Sequence, residues 1–128
     1  MEKAMIVSNN PLVWVKYPGC VKIEGTYKEV LIKVRDLIHQ GNSLISHPLS
    51  GSIKPNETPY KSVLLKVGKG GLDYQSLLLI ESAIEVADKF YSYRRNWSDQ
   101  VIRDFQVIDE DLLDSALEAL APDLIIEV

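Results

Sequence analysis

Short apolar runs alternate with stripes at helical spacing along this chain, and together they predict its elements. Ala4 to Val7 is an unbroken apolar run ended by Ser8-Asn9-Asn10-Pro11, as expected of a strand buried on both faces. Asn10 before Pro11 reads as a helix N-cap with proline at the first helical position, so Leu12 to Tyr17 should form one or two turns before Pro18-Gly19. Cys20 to Glu24 alternates apolar with polar and predicts a second strand. Thr26 and Glu29 have the spacing of a capping box. Behind them Tyr27, Val30, Leu31, Val34, Leu37 and Ile38 follow as one apolar face, and Gly41 stands where a left-handed C-cap is wanted. Leu44 and Ile45 begin a third strand that runs into His47. Strand, helix, strand in that order implies a βαβ unit.

Val63 to Val67 predicts a further buried strand, and Gly68-Lys69-Gly70-Gly71 a turn. Asp73 is placed to cap a long helix whose stripe is Leu77, Ile80, Ile84, Ala87 and Tyr91. The pattern breaks around Asn96 to Ser98, where Ser98 or Asp99 would cap a short helical piece. Asp109 then reads as the start of a last helix, with Ile108 and Leu113 as a staple and acidic Glu110 and Asp111 at its positive end. Pro122 stops that helix, and Leu124 to Val128 supplies a strand or a packed tail. The expected fold is α/β: a single three-layer domain over residues 1–128, with a short, mostly parallel, Rossmann-like sheet flanked by helices.

The one long polar interruption is His47 to Ser62, HPLSGSIKPNETPYKS. Pro48, Pro55 and Pro59 restrict its backbone, and Gly51 leaves room for a close approach. Between them stand His47, Ser50, Ser52, Lys54, Asn56, Glu57, Tyr60 and Lys61, which offer a proton-transfer group, hydroxyls, an amide and two cations. In open parallel sheets ligands bind beyond the carboxyl ends of the strands. His47 follows the third strand and Asn9 and Asn10 follow the first, so these groups are expected on one rim. The alternative is an ordered structural loop over a sheet edge. His47 is the candidate acid or base, since its ordinary pKa lies near neutrality. Ser50 or Ser52 beside it lacks an orienting third group and the Gly-x-Ser-x-Gly elbow, which leaves binding of a small anion by Lys54, Ser52 and backbone N–H groups as the less demanding reading.

Composition narrows the classes. With 128 residues, 46% apolar and 25% charged, the chain can bury a core without metal or disulfide. A net charge of −4 argues against non-specific nucleic-acid binding. Cys20, His39 and His47 make a poor metal inventory, and no cofactor is called for. No segment has the roughly 20 apolar residues of a membrane span, so the cytoplasm is the expected compartment. Gly68-Lys69-Gly70-Gly71 is a weak phosphate-turn signal beside a plain turn. Tyr91, Tyr93, Arg94, Arg95 and Trp97 read as packing and helix-end charges before they read as a nucleic-acid platform. His39 reads as a helix-end partner, and Cys20 as a small buried apolar residue.

The strand running into SNNP, the helix EGTYKEVLIKVRDLIHQG and the segment HPLSGSIKPNETPYKS together resemble the GrdX family. The resemblance extends over roughly the whole chain, with its specific part ending near Ser62. It implies a cytoplasmic accessory to the glycine, sarcosine and betaine reductases of amino-acid-fermenting anaerobic bacteria. It carries no catalytic residue or cofactor with it. Partners would be a reductase component or a small anionic metabolite, at a site of Asn9, Asn10, His47, Ser50, Gly51, Ser52, Lys54, Asn56, Tyr60 and Lys61. The competing functions are a small enzyme using His47 as general acid/base, and an assembly or regulatory protein with no small ligand. A homodimer is compatible with any of them.

Overall fold

The structure, a computed structural model, describes residues 2–46, 58–68, 70–90, 97–120 and 125–126. Strand β1 (Lys3–Ser8) leads into helix α1 (Pro11–Lys16), then β2 (Val21–Lys22) and α2 (Tyr27–His39). Strands β3 (Ser43–Leu44) and β4 (Ser62–Lys66) flank the long polar segment. Helices α3 (Tyr74–Phe90) and α4 (Asp99–Glu118) and a short β5 (Ile125–Ile126) complete the order.

Local signals act where the sequence puts them. The Asn10 side chain accepts from Leu12 N–H, and Pro11 opens α1. Thr26 and Glu29 form both halves of a capping box on α2. Gly41 takes a φ of +106° after α2, where a β-carbon would come within 2.6 Å of the Gly70 nitrogen. Only a glycine lets the two backbones meet there. Asp73 accepts from the Ser76 hydroxyl at the start of α3, and that hydroxyl in turn accepts from Leu44 N–H at 2.9 Å.

The sheet corrects the expected fold. Its order is β2-β1-β4-β3, with β5 also paired to β1. β1 runs parallel to β2 and β5, but its longest pairing, Ala4 to Ser8 against Lys66 to Ser62, is antiparallel. β4 is antiparallel to β3 as well. The sheet is therefore mixed, and neither mostly parallel nor Rossmann-like. The reason is that β4 returns beside β3 and inserts between it and β1. β2 and β3 run the same way without being neighbours, so α2 crosses the sheet without joining adjacent strands.

Alternating side chains of β1 and β4 feed two cores. Val7, Val63 and Leu65 pack with the buried faces of α2 and α3. Ile6 and Leu64 pack with Val13, Cys20 and Leu113, on the side of α1 and α4. The three-layer arrangement of helices about a sheet thus stands. Burial pushes the Cys20 thiol up, as suits a packing residue.

The C-terminal region differs in a second respect. α4 is one helix capped by Ser98, whose hydroxyl accepts from Val101 N–H at 3.3 Å. No new helix starts at Asp109, because that residue is buried within α4 and turned toward the sheet. No helix among the described residues is long and apolar enough to cross a membrane.

Candidate functional site

The antiparallel entry of β4 sets its first residue against the last of β1, with Ser62 opposite Ser8. Their hydroxyl oxygens are 2.7 Å apart. The chain leaves β1 through Asn10, whose N–H donates to Ser8 Oγ at 3.0 Å. The Asn10 amide Nδ2 reaches α4, donating to Gln106 O and to Asp109 Oδ2, both at 2.9 Å. Asp109 also accepts from Ser62 N–H at 3.0 Å and from Ser62 Oγ at 2.7 Å. When Asp109 is ionised its carboxylate only accepts, and the hydroxyl protons then run one way: Ser8 to Ser62, and Ser62 to Asp109. Ser8 and Asn10 are fully buried, and this directed chain satisfies them.

Asn9 fastens the other side of the rim. Its Nδ2 donates to Gly25 O at 3.0 Å and to Pro59 O at 2.8 Å, while Oδ1 accepts from Lys61 N–H at 2.9 Å. Tyr60 is held by its hydroxyl, which accepts from Gln106 Nε2 at 2.9 Å. Lys61 is buried, and the nearby charge of Asp109 partly offsets that burial. Burial moves both groups toward neutrality, Asp109 upward and Lys61 downward. The hydrogen bonds to Asp109 and the mutual attraction of the pair act against it.

Two small clefts open at this pair. One, about 320 Å³ with its open mouth, lies between Tyr27, Thr58, Tyr60 and Lys61 and the α4 residues Phe105, Ile108, Asp109 and Leu112. The other, about 300 Å³, lies between Ser46, Lys61 and Ser62 and Asp109, Leu112, Leu113 and Ala116. Most of that volume is open solvent. The space that a water molecule's centre can occupy is about 20 Å³ in the first and about 30 Å³ in the second. That is room for a water or two, well below the roughly 300–1,000 Å³ of ligand pockets. Ser46, just before the polar segment, and Thr58 within it each line one cleft.

The structure therefore brings Asn9, Asn10, Tyr60 and Lys61 to one rim. The polar atoms of both asparagine side chains have protein partners, so these two residues build the rim. His47, Ser50, Gly51, Ser52, Lys54 and Asn56 lie outside the described residues. The described hydroxyls and carboxylate satisfy one another and leave no unengaged base beside Ser62. Among the described residues no group of His, Cys, Asp or Glu could hold a metal ion.

Asp109 is the site residue that sequence reasoning misplaced. Its signal was periodicity: Ile102, Asp109 and Ala116 are seven apart and Leu113 is four further on, so the carboxylate stands in an inward stripe. The weaker motifs lie elsewhere. Gly68 N–H donates to Asn42 Oδ1 at 3.2 Å, and Asn42 Nδ2 donates to Leu37 O at 2.7 Å, which ties the glycine turn to a helix C-terminus. That end of a helix disfavours anions. Lys69 and Tyr91 to Arg95 are outside the described residues. Trp97 packs edge-on against Phe105 at 5.3 Å, and His39 is exposed in the last turn of α2.

A family model described as GrdX-like protein matches residues 5–118. No curated protein and no solved structure matches the chain.

Proposed function

The chain belongs to the GrdX-like family, and from that premise we propose that it is a cytoplasmic accessory protein of a glycine, betaine or sarcosine reductase system. On this reading the segment His47 to Ser62 binds a small anionic metabolite or a reductase component. One observation carries the location: Ser46, just before the segment, and Thr58 within it line clefts that converge on Lys61 and Asp109. Residues 47–57 connect Ser46 to Thr58, and on this reading His47, Ser50, Ser52, Lys54 and Asn56 are the binding residues. Lys54 supplies the cation, Ser52 and backbone N–H groups supply donors, and Gly51 leaves room for close approach. Asn9 and Asn10 hold the rim in shape. Accessory binding asks less of the segment than catalysis, which needs a nucleophile, a base within hydrogen-bond reach and a third group to orient it.

Thermal unfolding with glycine, inorganic phosphate, acetyl phosphate and nucleotides tests this. A ligand at about a hundred times its Kd stabilises the fold by about 2.7 kcal/mol, a shift of several degrees. That shift is expected with at least one anion and should vanish in Lys54→Ala. If no anion produces it, and no purified reductase component binds either, the reading fails.

A further inference from the structure

Helix α4 does more than supply Asp109. Four of its apolar residues, Val101, Val107, Ile108 and Leu112, are exposed by 37%, 42%, 40% and 44% in a helix that otherwise covers the sheet. Val101, Phe105, Ile108 and Leu112 are spaced by four, three and four, which is the seam spacing of a two-helix coiled coil. The last three of them also wall the first cleft, so the seam borders a shallow indentation. Asp104, Asp111 and Glu118, all exposed, run seven apart along the solvent side of the same seam. Among the described residues, Asp104 is engaged only within its own helix, by Gln100 Nε2 at 2.9 Å. Glu110 and Asp114 point elsewhere, to Lys16 at 3.6 and 2.6 Å.

A seam with acids spaced along one flank selects its occupant. A second copy packed antiparallel would set Asp104 and Asp111 near the same acids of its partner, and like charges at such flanks disfavour pairing. Lysine or arginine at those flanks would instead be attracted. We propose that the seam Val101, Phe105, Ile108 and Leu112 docks an amphipathic helix of a partner protein, with basic residues facing Asp104 and Asp111. One apolar residue of that helix packs over the cleft beside Tyr60. This surface deepens the accessory-protein reading by giving a protein component its contact, and it rests on that reading only for the partner's setting.

The test uses the full chain and two synthetic helical peptides of about three heptads, with leucine at the seam positions and either lysine or glutamate beside them. Fluorescence anisotropy should show the lysine peptide binding at least about tenfold more tightly than the glutamate peptide at low salt, with the gap narrowing as salt rises. Ile108→Ser should weaken the lysine peptide. Asp104→Lys/Asp111→Lys, both at exposed positions, should reverse the preference toward the glutamate peptide while leaving the circular dichroism spectrum unchanged. Equal binding of the two peptides, or an unchanged preference in the charge-reversed variant, overturns the proposal. So does a stable dimer of the chain that Ile108→Ser dissociates. A Lys54-dependent anion shift that persists while both peptides fail to bind would overturn this surface and leave the anion site standing.

Discussion

Asp109→Ala should cost the fold about 3–5 kcal/mol, because it removes the acceptor of three hydrogen bonds inside a buried cluster. The carboxylate accepts from Asn10 Nδ2, Ser62 N–H and Ser62 Oγ, and its charge partly offsets the burial of Lys61. Alanine leaves Ser62 N–H without an acceptor and takes one acceptor each from Asn10 Nδ2, which keeps Gln106 O, and from Ser62 Oγ, which can turn to Ser8 Oγ, at about 1–3 kcal/mol for each group left unsatisfied. Water can enter from the two adjoining clefts and recover part of that sum. The remainder is a large share of the roughly 5–15 kcal/mol that holds a domain folded. Urea unfolding followed by the fluorescence of Trp14 and Trp97 reads it directly. With a slope of about 1–3 kcal/mol/M, the midpoint should fall by roughly 2 M. Asp111→Ala, exposed two residues further along the same helix, is the control and should stay within about 0.5 kcal/mol. If the two variants unfold at the same urea concentration, Asp109 does not hold the rim together.

Other consequences follow from the same contacts. Tyr17 is held up to about 12, first by burial and then by its hydrogen bond to Asp114. Its folded value lies above the unfolded one, so its contribution is complete below pH 10 and is lost as pH rises toward 12. Absorbance titration of the chain against Tyr17→Phe should therefore show one late phenol missing from the variant. Glu110→Pro falls inside α4 and should cost about 3 kcal/mol or more in urea unfolding. A near-neutral result would mean that a helix starts at Asp109 after all, since proline is accepted in a first turn. Gly41→Ala must hold a φ of +106° with its β-carbon against the Gly70 backbone. It should destabilise by about 1–3 kcal/mol, and unchanged thermal unfolding would contradict that strain.

What the sequence discloses follows the range of the forces involved. The capping box of Thr26 and Glu29, the Asn10-Pro11 start of α1 and the turn at Gly41 are local chemistry, so they could be read from neighbouring residues. From sequence alone, placing Asn9 and Asn10 beside His47 rests on the premise that the first and third strands are parallel neighbours. They run the same way, but β4 lies between them, and His47 is outside the described residues. The direction of β4 was not legible. A link of that length serves a crossover or an antiparallel return equally well, and hydrophobic runs carry no arrow. That return brings Lys61 and Ser62 onto the rim at the head of β4, where a parallel β4 would have carried them to the opposite one. Asp109-Glu110-Asp111 misled for a related reason. Acids suit a helix N-terminus, and only the distant partners Asn10 and Ser62 reveal that one of the three faces inward.

The claim that the rim around Lys61 and Asp109 is where this chain binds its ligand can be tested by ¹H–¹⁵N spectra during titration with inorganic phosphate and acetyl phosphate. The account predicts saturable shifts of the amides of Ser46, Thr58 to Ser62, Asn9 and Asp109, with His47 to Glu57 moving alongside and Gly68 to Leu72 unmoved. Spectra without saturable change, or shifts centred on the glycine turn at Gly68 to Gly71, would contradict it.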